Sequence, residues 1–224
     1  MAEKSAIPIT RNPAPADTEA AIRAAVRSAT AMATDNESSH LATPEDADLF
    51  HAFLSDPAIH APIYTLPRPL TRDSIRRFIE RHLEERERGA GLLFLNFSGG
   101  EIGGYTDLAI WPHWAAGEMG GAVHPDRQGH RRGILGAERG FTWMFEALGL
   151  DLICETAAPD NVRTARLLDH LGFRRMGEVT SYRDDGTSRP SLVWEVTRAE
   201  WAARTPIEEA MPPTGAADTT GRKP

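Results

Sequence analysis

Val123-His124-Pro125-Asp126-Arg127-Gln128-Gly129-His130-Arg131-Arg132-Gly133-Ile134 runs from the end of an apolar strand pattern, through a basic turn, into a helical pattern. The first backbone N–H groups of a helix have no internal partner, and the aligned peptide dipoles add partial positive charge there. A turn feeding such a helix is therefore an anion cradle. Gly129 and Gly133 let the main chain approach a ligand closely, while Arg127, Arg131 and Arg132 are opposed only by Asp126. A diphosphate suits this chemistry. The turn has no Gly-Lys-Ser/Thr, which argues against a nucleotide-hydrolysing P-loop. No Gly-x-Gly-x-x-Gly follows a strand, which argues against a dinucleotide-binding domain.

The elements that position this turn follow from periodicity and punctuation. Glu118 to Val123 reads as the strand leading into it. Beyond it Ile134, Ala137, Phe141, Met144, Phe145 and Leu148 share one helix face, with Gly149 as the stop. Leu152 to Thr156 is a short buried strand, and Asp160 or Asn161 caps a helix that turns Ala165, Leu168 and Leu171 inward before Gly172-Phe173. Upstream, Thr43 with Pro44 starts a helix through about Leu54, which Asp56-Pro57 ends. A second starts at Thr71-x-x-Ser74 and carries Ile75, Phe78, Ile79 and Leu83. Leu92 to Phe97 and Ile102 to Ile110 form a hairpin across Ser98-Gly99-Gly100-Glu101. Met176 to Arg183 and Ser191 to Thr197 form another across Asp184-Asp185-Gly186. About seven strands and four helices, mixing hairpins with strand-helix-strand crossovers, predict an α+β (mixed α/β) domain. Its sheet is mixed, mostly antiparallel and twisted, with helices on both faces.

The chain is 224 residues, 41% apolar and 25% charged, which fits one domain with a sizeable core. Residues 34–202 carry the pattern. Residues 1–33 read as an arm, with a weakly amphipathic stretch from Thr18 to Ala33 that offers few large apolar residues. Residues 203–224 are small, polar and proline-broken, the composition of a disordered tail. A net charge of −7 excludes bulk attraction to nucleic acid or anionic lipid and favours a cationic partner. The single cysteine, Cys154, excludes an internal disulfide and a clustered-cysteine metal site, and the eight histidines lack metal-ligand spacing, so no metal is implied. No apolar run approaches the roughly 18 residues of a membrane span, and the first thirty residues lack a signal peptide's apolar centre. The expectation is a soluble, cytoplasmic protein.

Glu118-Met119-Gly120-Gly121-Ala122-Val123-His124-Pro125 followed by Gln128-Gly129-His130-Arg131-Arg132-Gly133 resembles the acetyl-CoA-binding motif of the GNAT superfamily of N-acetyltransferases. Of the family pattern Gln/Arg-x-x-Gly-x-Gly/Ala, Gln128 and Gly133 match the first and last positions, and Arg131 replaces the first glycine. Asn161-x-x-Thr164 with Leu168-Asp169-His170-Leu171-Gly172-Phe173 resembles the family's downstream helix. Thr43-Pro44-Glu45-Asp46-Ala47, Asp56-Pro57, Asp184-Asp185-Gly186 and Glu200-Trp201 are similar to the branch that includes the ribosomal-protein N-terminal acetyltransferases.

The resemblance implies an acetyl-CoA-dependent transfer of acetyl to a primary amine, on a protein N-terminus or a small molecule, by direct attack on the thioester. It places the CoA pyrophosphate on the backbone amides of Gln128, Gly129, His130, Arg131, Arg132, Gly133 and Ile134, and the pantetheine arm along Ala122 and Val123. Asn161, with Thr164 beside it, would hold the pantetheine or the substrate arm, although a helix cap accounts for Asn161 equally well. Glu118 is the implied base, acting through water, with the backbone N–H near Val123 as oxyanion donor. The family's general-acid tyrosine falls on Leu168, leaving Ser181, Tyr182 or water to return the proton. Residues 54–74 and the hairpin after Tyr182 would contact the acceptor. A non-catalytic acyl-CoA-binding or regulatory domain is the alternative reading, and a homodimer is a default for such domains.

Overall fold

Four antiparallel strands open the sheet in chain order: β1 (Ser38–Leu41), β2 (Gly91–Ser98), β3 (Glu101–Trp111) and β4 (Ala116–Val123). β5 (Leu152–Ala157) joins β4 in parallel, and β7 (Ser188–Thr197) lies between β5 and the edge strand β6 (Arg174–Tyr182), antiparallel to both. The computed structural model describes residues 6–32, 38–127, 132–183 and 185–207. The seven-stranded, mixed, mostly antiparallel sheet expected from the sequence is the one found. Between β2 and β3, Gly99 and Gly100 both take positive φ with open space around them, so the tight turn selects glycine for its backbone and not for room.

The described residues form seven α-helices where four were expected. The additional ones are α1 (Ala16–Ser28), the one-turn α3 (Pro57–His60) and α7 (Arg198–Ala203). Asp56-Pro57, expected to end a helix, starts one: the Asp56 carboxylate accepts the Ala58 N–H at 2.8 Å and Pro57 takes the first position. The others are α2 (Ala47–Leu54), entered through a 3₁₀ turn at Pro44–Asp46, α4 (Arg72–Glu87), α5 (Arg132–Glu146) and α6 (Val162–His170). The starts of α4 and α6 are capped as the sequence suggests. Thr71 and Ser74 exchange side-chain-to-backbone bonds of 2.9 and 3.1 Å, and Asn161 Oδ1 accepts the Thr164 N–H at 3.1 Å.

The sheet separates two cores because successive strand residues point to opposite faces. On β2, Leu92 and Phe94 join the core built with α1, α5, α6 and α7, while Leu93 and Leu95 join the one built with α2, α3 and α4. On β3, Leu108 and Ile110 go to the first core and Ile102 and Tyr105 to the second.

Residues 6–32 are not a free arm. Ile22 and Val26, four apart on one face of α1, are 1% and 0% exposed in the first core. Before α1 an extended segment crosses the sheet: the Ile9 and Thr10 N–H groups both donate to Glu195 Oε1, at 2.7 and 3.0 Å, and Ile7 packs on Cys154 and Val193. Two well-placed aliphatic residues dock a helix whose average composition hides them. Ile22→Ala is accordingly expected to lower the unfolding free energy by about 2–5 kcal/mol in denaturant titration; a loss near zero would mean that α1 does not bear on the fold. At the other end, residues 203–207 are held too. Arg204 pairs with Glu138, and the Ile207 N–H donates to Glu138 Oε1 at 3.0 Å. Residues 208–224, the rest of the expected tail, lie outside the described residues.

Candidate active site

β4 and β5 pair at only two positions, Ala116 with Leu152 and Gly117 with Ile153, although both strands run on to Val123 and Ala157. Past Gly117, side chains replace the ladder. The Met119 N–H, turned toward β5, donates to Glu155 Oε1 at 2.8 Å, and Thr156 Oγ1 donates to Glu118 Oε1 at 2.7 Å. The strand period sends the two glutamates to opposite faces. Met119 and Ile153 pack on the first core, so Glu155 lies on that side and Glu118 projects toward α2–α4.

Glu118 has intermediate exposure as a residue, but its carboxyl is closely surrounded. Burial pushes its pKa up, the Thr156 hydroxyl opposes that, and the negative charge of Asp107 adds to it, leaving a value of about 7. Asp107 acts from β3: it pairs with Gly120, two residues from Glu118 on the same face, and Gly120 places no side chain between the two carboxylates. Asp107 is held in turn by His82 of α4, whose Nε2 lies 3.0 Å from Asp107 Oδ1 and whose Nδ1 lies 2.8 Å from the Phe78 carbonyl. Burial alone would lower the His82 pKa. Asp107, Phe78 and Glu85 outweigh it, and the His82 pKa stands above its ordinary value. Glu155 is 6% exposed, and burial, then the charge of Glu118, holds its carboxyl well above the usual range. The Tyr105 hydroxyl, enclosed with Phe50 and Phe53, has no hydrogen-bond partner among the described residues. Among the described residues no three His, Cys, Asp or Glu side chains group as a metal set.

Ala122 and Val123 end β4, opposite Tyr105 and Gly104. Because the Met119 N–H faces β5, strand alternation turns the backbones of Gly121 and Val123 the same way. Gly121 has φ +140°, and a Cβ there would lie 2.2 Å from the Tyr105 carbonyl, so only glycine fits this position of β4. The resulting edge is bare of side chains at Gly120 and Gly121. Gly133 and Ile134 lie in the first turn of α5, which Arg132 opens, and Gly133 is exposed. Gln128, Gly129, His130 and Arg131 lie outside the described residues. Asn161 caps α6 through Thr164, and the opposite end of α6 holds Leu168, 1% exposed in the first core. Ser181 donates to Ser191 at 2.8 Å and Tyr182 is 66% exposed, so neither bonds to the Glu118 group. Cys154 is fully buried, and burial raises its thiol pKa, as befits a core residue and not a nucleophile.

Glu118 belongs to the motif that marks the site in the sequence, whereas Glu155, Thr156, Asp107 and His82 belong to none. One signal was available, a glutamate inside the apolar run Leu152–Ala157, since a buried carboxylate is rare unless something holds it. Asp107 and His82 lie far apart in the sequence and meet only through the packing of α4 on the sheet.

No curated protein matches the chain in sequence. Solved structures that share the fold include a ribosomal-protein-S5-alanine acetyltransferase from Vibrio fischeri, 18% identical with a TM-score of 0.63, over 77% of this chain and 99% of that one. Mycobacterium smegmatis RimJ in complex with CoA-disulfide is 21% identical with a TM-score of 0.62, over 73% and 83%. AAC(6')-Ib in complex with ribostamycin and coenzyme A is 18% identical with a TM-score of 0.62, over 77% and 99%. At these identities the likeness shows the fold. The sequence model of the acetyltransferase (GNAT) domain matches residues 40–174, more than half of the chain and the span from β1 to the start of β6, and the protein belongs to the GNAT acetyltransferase family.

Proposed function

We propose that the protein is an acetyl-CoA-dependent N-acetyltransferase that acetylates a primary amine, on a protein N-terminus or a small molecule, by direct attack on the thioester. The observation that carries this reading is the Glu118 carboxyl, held at a pKa of about 7 where β4 leaves β5. A group with that proton affinity can take a proton from an ammonium or its water and release it again near neutral pH. Acetyl-CoA supplies the activated acyl group. The chain supplies the rest: the α5 turn with Gly133 and Ile134 receives the phosphates, and the β4 edge at Ala122 and Val123 aligns the arm and offers an N–H toward the carbonyl oxygen. Asp107, pinned by His82, keeps Glu118 from ionising too early, and Thr156 keeps it from staying protonated. The same reading places the protein in the cytoplasm and admits a homodimer.

The non-catalytic alternative has one observation in its favour. Leu168 is buried in the first core, so α6 offers no hydroxyl at the position where the family resemblance puts the general acid. Calorimetric titration with acetyl-CoA, followed by free-thiol release with N-terminal peptides, polyamines and aminoglycosides, separates the two readings. Binding with turnover is expected; binding with no thiol release from any acceptor would support the non-catalytic domain.

The carboxyl environment gives a sharper expectation. Thr156→Val removes the hydrogen bond that favours the charged form of Glu118, so the acid limb of the rate profile should move above pH 7. An unchanged limb would detach Glu118 from the titration.

A further inference from the structure

The loop between α3 and α4 meets the β6–β7 hairpin around Tyr64. Arg183 and Arg189, from the hairpin, place their guanidinium carbons 4.1 and 4.2 Å from the Tyr64 ring centroid. Arg68 organises the loop itself, donating to the carbonyls of His60 at 2.9 Å, Pro67 at 3.2 Å and Ile63 at 3.4 Å. The hairpin is closed by its own bonds: the Arg183 N–H donates to the Thr187 carbonyl, and Asp185 Oδ1 accepts from both the Thr187 N–H and hydroxyl.

Three guanidinium groups therefore collect where a protein of net charge −7 could easily have placed carboxylates. Among the described residues none of the three has an ion pair. Asp185 is the carboxylate that acts on Arg68 and Arg183, and Asp160 the one that acts on Arg189, both from beyond ion-pair distance. The Nε atoms of Arg183 and Arg189 are buried and make no hydrogen bond. Arg189 has only a long contact, 3.5 Å, to the Pro62 carbonyl. Burial, followed by the charge of Arg183, lowers the proton affinity of Arg68, as expected when like charges crowd. Stacking on one tyrosine tolerates this crowding without neutralising it.

The cluster stands at the open end of the β4–β5 gap. Leu192 of β7 pairs with Ala157, the last residue of β5, so Arg189, three residues earlier on β7, lies past the end of β5. Arg68 acts on the Tyr105 hydroxyl, and Asp107 acts on both Tyr105 and Glu118, which puts the cluster on the same side of the sheet as the carboxyl. Arg68 also borders a groove of about 310 Å³ shared with Thr71, Ser74, Arg77 and Arg81, which extends the positive surface toward the start of α4.

We propose that the acceptor carries an anionic oxygen group, a carboxylate or a phosphate, which Arg183 and Arg189 bind beside Tyr64 while the amine of the same molecule reaches Glu118. This rests on the acetyltransferase reading and names its substrate class. It reverses the expectation of a cationic partner drawn from net charge. Screening limits distant charges to about 8 Å at physiological salt, so the three local cations outweigh the dispersed negative surface. Guanidinium forks match carboxylate and phosphate oxygens geometrically as well as in charge.

The test is direct binding, in the presence of CoA, of three tetrapeptide amides with free amino termini: one with aspartate second, its asparagine twin and its phosphoserine twin. At least one anionic peptide should bind the wild-type protein about tenfold more tightly than the asparagine twin. Whichever of the two gains identifies carboxylate or phosphate, and the gain should shrink as salt is raised. The Arg183→Gln, Arg189→Gln double variant should lose that preference while keeping its affinity for the neutral twin and for acetyl-CoA. Equal binding of all three peptides by the wild type overturns the proposal, whatever the variant does. So does a preference that survives in a double variant whose circular dichroism matches the wild type. Thiol release measured on the same proteins and peptides with acetyl-CoA in place of CoA separates the two ideas: preference without release from any acceptor would sink the acetyltransferase reading and leave the anion site, and release without preference would do the opposite.

Discussion

Glu118→Gln is expected to lower kcat/KM by roughly 100-fold or more while leaving the acetyl-CoA dissociation constant unchanged, the usual range for losing a positioned base. The amide keeps the size of the side chain and can still accept from Thr156, whose hydroxyl lies 2.7 Å from Glu118 Oε1, so the lesion is confined to proton transfer. The wild-type rate should rise with pH through an inflection near 7, because below it the carboxyl is protonated and cannot act as base. The variant should lose that inflection. A profile and rate like the wild type's would remove Glu118 from the chemistry.

The same substitution carries a stability consequence of opposite sign. Between the ordinary carboxyl value of 4.5 and about 7, the folded chain holds a proton that the unfolded chain releases. Stability from this group is therefore greatest at low pH and falls as pH rises across that window. The loss is on the order of 2 kcal/mol once partial exposure is allowed for. Glu118→Gln should be more stable than the wild type above pH 7 and indistinguishable from it near pH 4. Activity and stability thus pull in opposite directions at one residue.

Gly133→Trp is expected to raise the acetyl-CoA dissociation constant by roughly 100-fold, close to 3 kcal/mol of binding. A Cβ at Gly133 would meet only the Arg163 Nη2, at 4.0 Å, so the protein itself has room for a side chain there. Position 133 is exposed in the first turn of α5, where unpaired N–H groups offer an anion site. An indole at that point would cover the donors without disturbing the core, and its melting temperature should stay near that of the wild type. Unchanged affinity by calorimetry would mean that the phosphates bind elsewhere.

The sheet was legible because its strands are bounded by turn residues and its hairpins are short. The caps at Thr43, Thr71 and Asn161 were legible because capping is a local event. Docking of α1 was not, since it depends on where two side chains, Ile22 and Val26, meet the far core. Glu118 could be named from the motif that contains it, but its proton affinity could not. That property comes from burial, opposed by the Thr156 hydroxyl and reinforced by Asp107, which His82 holds from α4. The arginine cluster shows the same limit more strongly. Overall composition pointed to an acidic surface, and only folding brings residues 64, 68, 183 and 189 together with the opposite sign.

Residues 7–10 lie across β5 and β7, with Ile7 over the lone thiol of Cys154 and two amides clamped on Glu195. The protein thereby contains its own chemical clock. An alkylating reagent can reach the sulfur only while this strap is lifted or the whole molecule is open, so the rate of labelling counts those openings, one mass increment per molecule. Comparing that rate with global unfolding would tell whether the strap breathes independently of the sheet beneath it.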